Sequence, residues 1–194
     1  MKKRVISAII ALIIAVPIFI KGGMLFNLFI YVLSMLGLKE FLNTKATKKE
    51  LPSFIDFISY IVMTLIVVSN FERTDIVFSL DYRIIIVGLF LIFLLPTIIY
   101  HDRKKYSVVD AFHLIGGIFF LGVSFSLMIL LRNIDLKILI YLFIITIITD
   151  TYAYLTGRLI GQHKLLEDIS PNKTWEGTIG GTVFGVLIST VYYM

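Results

Sequence analysis

Apolar runs long enough to cross a bilayer, repeated from one end of the chain to the other, limit what this sequence can fold into. Seven can be drawn: Val5–Ile20, Met24–Leu38, Phe54–Ser69, Ile84–Ile99, Ala111–Leu131, Ile138–Gly161 and Gly177–Tyr193. A spanning helix needs roughly 17–25 residues, so the shorter runs imply tilting or local thinning of the bilayer. Hydrocarbon offers the backbone no water, which leaves helices and closed barrels, and these runs are continuous rather than alternating. The expected fold is all-α, a polytopic transmembrane helix bundle of about seven spans, in a single transmembrane domain over residues 1–194. Composition agrees. Only 16% of the residues are charged and 58% are hydrophobic, where a soluble domain carries about a quarter charged residues.

The first run follows Met1-Lys2-Lys3-Arg4, as in a secretory signal, but no small-x-small cleavage site comes after it and further spans do. It reads as a first transmembrane helix. With the N-terminus placed in the cytoplasm and the spans alternating, 13 of the 18 Lys and Arg residues fall on the inner side, as the positive-inside rule expects. The loops at 39–53, 101–110 and 162–176 then face the cytoplasm, where nucleotides are, and the expected location is the cell membrane. The net charge of +5 is explained by this asymmetry and needs no nucleic acid. There are no cysteines, which excludes disulfide frameworks and Cys-based metal sites, and His101, His113 and His163 show no ligand spacing.

The sixth run and the loop after it carry the chemistry. Asp150 lies eight residues before Arg158, about 12 Å along a helix, which puts a carboxylate below the inner membrane surface. That costs on the order of 2.5–3.5 kcal/mol, so the acid either faces a polar or cation-bearing site or serves as an interhelical hydrogen-bonding group. The first is favoured. At helical spacing Asp150, Tyr154, Gly157 and Gly161 share a stripe. The series Ala153, Gly157, Gly161 and Gly177, Gly181, Gly185 read as surfaces for close helix packing.

In the loop, Ser170-Pro171 has the form of a helix start, with Ser170 as N-cap and Pro171 at the first helical position. The helix N-terminus, Lys164, Lys173 and Thr174 then suit phosphate groups. An ordinary basic inner loop with an interfacial Trp175 anchor explains the same residues equally well.

Over these residues the chain resembles the phosphatidate cytidylyltransferase (CDP-diacylglycerol synthase) family. Gly161-Gln162-His163-Lys164-Leu165, then Ile169-Ser170-Pro171-Asn172-Lys173-Thr174-Trp175-Glu176-Gly177 and Gly180-Gly181, are similar to the family's central motif. Asp150-Thr151-Tyr152-Ala153-Tyr154 is similar to its Asp-Thr-Gly-Ala-Tyr, with Tyr152 in place of Gly. Weaker matches, Lys39-Glu40-Phe41 and Leu131-Arg132 among them, fall in the expected order.

The resemblance implies a membrane enzyme that transfers a cytidylyl group from CTP to phosphatidic acid, giving CDP-diacylglycerol and pyrophosphate. It implies Mg²⁺ as cofactor, alone or with a monovalent cation. Asp150 and Lys173 are the expected catalytic residues, with Asp150 also a metal ligand. Lys164, Ser170, Thr174, Trp175 and Glu176 are expected to bind substrate. CTP, phosphatidic acid, the bilayer and a second copy of the chain are the expected partners.

The family's C-terminal signature, with Pro-Gly-His-Gly-Gly and Asp-Arg-x-Asp, is not in this sequence, which stops at Met194 at the end of an apolar run. The expectation is therefore a chain holding about three quarters of the family fold, with weak nucleotide binding and no turnover when alone. A non-catalytic remnant or partner subunit of the same fold is the alternative. A small transporter fits poorly, because no pair of interrupted repeats is present.

Overall fold

The computed structural model describes residues 2–44, 51–72, 82–100, 105–167 and 169–194. The basic positions Lys45, Lys48, Lys49, Arg73, Arg103 and Lys104, with His101 and Asp168, lie outside the described residues. Seven helices occur among the described residues, in chain order α1 (Lys2–Lys21), α2 (Gly23–Leu42), α3 (Ser53–Val68), α4 (Tyr82–Tyr100), α5 (Val108–Ile134), α6 (Leu136–Ile160) and α7 (Trp175–Tyr193). The all-α reading holds, with one addition. Between α6 and α7 the chain forms a two-stranded antiparallel ladder, β1 (Lys164–Leu166) and β2 (Ser170–Thr174). Among the described residues, four segments are long and apolar enough to cross a membrane by length and composition: Gly23–Leu42, Arg83–Tyr100, Val108–Ile134 and Leu136–Ile160. The protein is a multi-pass membrane protein.

Two compact units divide the chain, Met1–Leu136 and Lys137–Met194. In the first, α5 packs against α2, α3 and α4. Phe26, Ile30 and Leu38 of α2, Ile55, Met63 and Val67 of α3, Phe93 of α4 and Leu114, Ile118 and Ile129 of α5 are fully or almost fully buried. Several polar side chains inside this unit serve backbone groups or each other, while the buried Asn27 Oδ1 and His113 Nε2 have no partner among the described residues. Asn70 donates through Nδ2 to Ser126 Oγ at 2.8 Å, and Ser126 Oγ donates to the Ile66 carbonyl at 3.0 Å. Asn133 Nδ2 donates to the carbonyls of Asn70 and Phe71, each at 3.0 Å. Arg132 donates to the carbonyls of Phe19 and Ile20 at 2.7 and 2.8 Å, which satisfies the end of α1, where carbonyls have no partner within the helix.

Pro96 removes a backbone donor from α4. The buried Tyr106 hydroxyl donates to the Phe93 carbonyl at 2.9 Å, close to that break. At the start of α5, Ser107 and Asp110 form a reciprocal capping box.

The second unit is a pair of helices joined by the hairpin. The closest approach of α6 and α7 runs along the two small-residue series. A Cβ added at Gly181 would stand 2.7 Å from the Thr149 carbonyl oxygen and 2.8 Å from Ala153 Cβ. One added at Gly177 would stand 2.7 Å from the Ala153 carbonyl oxygen and 3.1 Å from Gly157 Cα. The packing expected of these glycines is what they do. Tyr152, on α6, stacks on Phe184 of α7 at 4.3 Å between centroids and 22° between planes, so the residue that departs from the motif's glycine adds a ring contact to the same pair. At the other end of the pair, Lys137 Nζ donates to the Tyr193 carbonyl at 3.1 Å.

Candidate active site

A cleft of about 420 Å³ opens within the second unit, lined by Asp150, Ala153, Tyr154, Gly157 and Arg158 of α6, Ser170, Asn172, Lys173 and Thr174 of β2, and Gly177 and Thr178 of α7. The stripe of α6 that carries Asp150 and Tyr154 forms one wall. Glycine at 157 and 177 keeps the backbones close below it, while β2 supplies the polar edge. Asp150 is exposed to this cleft, and its carboxylate accepts no hydrogen bond among the described residues. Lys173 and Asn172 are likewise exposed. Arg158 makes a 3.3 Å bond to the Tyr154 hydroxyl, which leaves most of its five donors open.

The helix start lies elsewhere than the sequence suggested. Ser170-Pro171 is strand, and Thr174, extended at φ −127° and ψ 154°, is the N-cap of α7, its Oγ1 accepting from the Gly177 amide at 3.2 Å. The reason is the pairing of Lys164 with Thr174 and of Leu166 with Ser170. It holds the chain extended through Thr174, and a proline is tolerated in a short edge strand. The amides of the new helix start are partly engaged. Trp175 N–H donates to the His163 carbonyl at 3.0 Å, and the Gly177 amide serves Thr174. Attraction for an anion therefore falls mainly to Lys173 and Arg158.

Of the expected site residues, the structure gathers Asp150, Ser170, Lys173 and Thr174 around the cleft. Lys164 does not line it and instead donates through Nζ to the Pro171 carbonyl across the ladder. Trp175, the first residue of α7, is exposed and also outside the lining. Glu176 turns to His163, whose Nδ1 lies 2.6 Å from its Oε1. Glu176 precedes the apolar run that starts at Gly177, and the His163 contact, helped by backbone amides, lowers its carboxyl to about 2. Arg158 and Asn172 were missed as lining residues. Arg158 continues the Asp150–Tyr154 stripe by one more turn, and Asn172 sits two residues from Thr174 on one strand face.

Asp150 is the one acid in this lining, and no cluster of three or more acids and histidines that could hold a metal occurs among the described residues. Mg²⁺ commonly takes one or two carboxylates and completes its shell with substrate phosphates and water. The donors here fit that open kind of site and do not fit a closed protein cage.

The Cytidylyltransferase family matches residues 2–194. This chain is a member of it. Among curated relatives, the phosphatidate cytidylyltransferase of Staphylococcus epidermidis is 34% identical over 195 aligned residues, covering 100% of this chain and 72% of the relative. That of Staphylococcus saprophyticus is 33% identical, covering 98% of this chain and 71% of the relative. That of Staphylococcus aureus is 33% identical, covering 97% and 70%. No solved structure matches the chain. In this cytidylyltransferase, then, the cleft is built from the segment, residues 150–178, that resembles the family's central motif.

Proposed function

We propose that the protein is a phosphatidate cytidylyltransferase whose second unit holds the nucleotide-facing part of the active site. The observation that carries this reading is the cleft itself. It puts one membrane-depth carboxylate, Asp150, beside two cations, Lys173 and Arg158, with Ser170, Asn172 and Thr174 as neutral donors. The names of the relatives supply the substrates, CTP and phosphatidic acid.

In the reaction a phosphate oxygen of phosphatidic acid attacks the α-phosphorus of CTP. A new P–O bond forms, the bond between the α-phosphorus and the bridging oxygen breaks, and pyrophosphate leaves with the electron pair. Little covalent work falls to the protein, so positioning and neutralisation of charge dominate. Lys173 and Arg158 would hold phosphate oxygens, Lys173 as a mobile point charge and Arg158 through its planar fork. Ser170, Thr174 and Asn172 would orient the phosphate chain by hydrogen bonds. Asp150 would hold Mg²⁺, which when bound offsets triphosphate charge and stabilises charge developing at the reacting phosphorus.

The cleft would face the cytoplasm, in agreement with the distribution of Lys and Arg, in the cell membrane. Homodimerisation is part of the same proposal, and nucleic acid is no part of it. The test supplies labelled CTP and Mg²⁺ to nanodiscs that contain the protein and phosphatidic acid. Label held by the protein or passed into lipid, and lost with Lys173→Ala, supports the reading. Label in neither place overturns it.

A further inference from the structure

Glu176 belongs to the motif yet does not line the cleft. Its carboxylate accepts from His163 three times: from Nδ1 at 2.6 Å, and from the backbone amide at 3.3 Å to each oxygen. The neighbouring Trp175 amide donates back to the His163 carbonyl at 3.0 Å. Two consecutive residues at the start of α7 thus grip one residue, and that residue immediately precedes β1. Each contact is local and simple. Their placement gives them a role.

The strands have three and five residues, and a hairpin that small is marginal by itself. What β1 does is fix β2, through Lys164 opposite Thr174 and the Lys164 ammonium on the Pro171 carbonyl. In turn β2 presents Ser170, Asn172, Lys173 and Thr174 to the cleft. The far side of Thr174 is closed by α6, where a Cβ at Gly157 or Gly161 would stand 2.9 or 2.7 Å from its Oγ1. Hence β2 is held at its end by packing and by its partner strand, and the partner strand is held at its base by His163. A carboxylate gripping three donor contacts would have to release the hairpin in order to reach a metal or a phosphate-bound water.

We propose that Glu176 and His163 are positioning residues, a latch that ties the base of the hairpin to the first turn of α7 and so sets Lys173 and Thr174 at the cleft. The proposal rests on reading the cleft as the CTP site. It moves Glu176 out of the substrate-binding set in which the sequence placed it. The required chemistry at 163 is a donor at the Nδ1 position, which an asparagine amide can also supply.

The protein has a single tryptophan, and it is Trp175, beside the latch. Acrylamide quenching of its fluorescence reads the latch without nucleotide, and CTP affinity in Mg²⁺ reads the consequence, both on the full chain in nanodiscs. Glu176→Ala, His163→Ala and the double variant should each increase quenching and weaken CTP binding, about three- to tenfold for His163→Ala, the net worth of a hydrogen bond, and at least as much for Glu176→Ala, which also loses the two backbone-amide contacts. The double variant should match Glu176→Ala, because the ring contact that His163→Ala removes is already gone there. His163→Asn should restore both readouts.

Weakened CTP binding in Glu176→Ala with Trp175 quenching unchanged would make Glu176 a direct ligand and overturn the latch. Unchanged quenching in both single variants would overturn it as well. If the wild-type chain binds no CTP, the functional reading fails, and the quenching comparison still decides the latch.

Discussion

Two sets of polar side chains, one in each unit, have opposite surroundings. In Met1–Leu136, buried Asn70 and Ser126 bond to each other and to the Ile66 carbonyl, while Asn133 and Arg132 serve backbone carbonyls. Each of these side chains closes a hydrogen bond within the unit. In Lys137–Met194, Asp150, Asn172 and Lys173 stand exposed along a cleft whose floor is glycine. The same residue chemistry builds a frame in one unit and a site in the other. What separates them is whether the polar group already has a partner.

The largest effect should come from the open side chains. Lys173→Ala should weaken CTP binding ten- to a hundredfold, the roughly 1.5–3 kcal/mol of a charged hydrogen bond, and Asp150→Asn should abolish the Mg²⁺ dependence of that binding. Equilibrium binding in nanodiscs measures both. If Asn70→Ala weakened CTP binding as much, the contrast between frame and site would collapse.

Next comes helix contact. Gly181→Ala places a methyl group 2.7 Å from a backbone oxygen, and overpacking of this kind costs about 1–3 kcal/mol. Gly88→Ala in α4 meets nothing within 4 Å and should be neutral or mildly stabilising, since alanine is the better helix former. Thermal unfolding in detergent compares the two, and equal losses would mean that the tight crossing of α6 and α7 is not what holds the second unit.

Asn70→Ala should cost about 1 kcal/mol of stability, the usual worth of a hydrogen bond between membrane helices, with CTP affinity unchanged. A larger loss of affinity than of stability would assign the first unit a part in binding.

The helices were legible because each apolar run is long and continuous. Observed ends differ by at most four residues, as at α2, which runs on to Leu42 past the basic Lys39. Asp150 and Lys173 could be singled out because a carboxylate at membrane depth and a basic, motif-bearing loop are visible in one dimension. The hairpin was not. Ser170 and Thr174 are both good caps, and only the pairing of β2 with β1 decides between them. The His163–Glu176 contact joins residues 13 apart, and without the hairpin His163 is just a scattered histidine. The polar frame of the first unit was hidden for the same reason, since Asn70 and Ser126 are 56 residues apart.

The smallest effect lies at the hairpin. Glu176 has its carboxyl lowered from 4.5 to about 2, so the folded form favours the ionised acid. The stabilisation is present in full above pH 4.5 and is lost as pH falls through about 2. Trp175 quenching should therefore stay constant from pH 7 down to 4.5 and rise only below it. A rise that begins well above pH 4.5 would show that the ionised Glu176 carboxylate is not what holds the contact.

The cleft of the second unit would take the phosphates of CTP from the cytoplasmic side. The protein contains no cysteine, so single-cysteine variants Asn172→Cys, at the cleft, and Lys105→Cys, ahead of α5, can be labelled with an impermeant thiol reagent in sealed vesicles of each orientation. On this reading both positions are labelled in inside-out vesicles only, with Mg²⁺ and CTP slowing the reaction at 172 and leaving that at 105 unchanged. Labelling of position 172 from the outer face, or equal effects of CTP at the two positions, would contradict it.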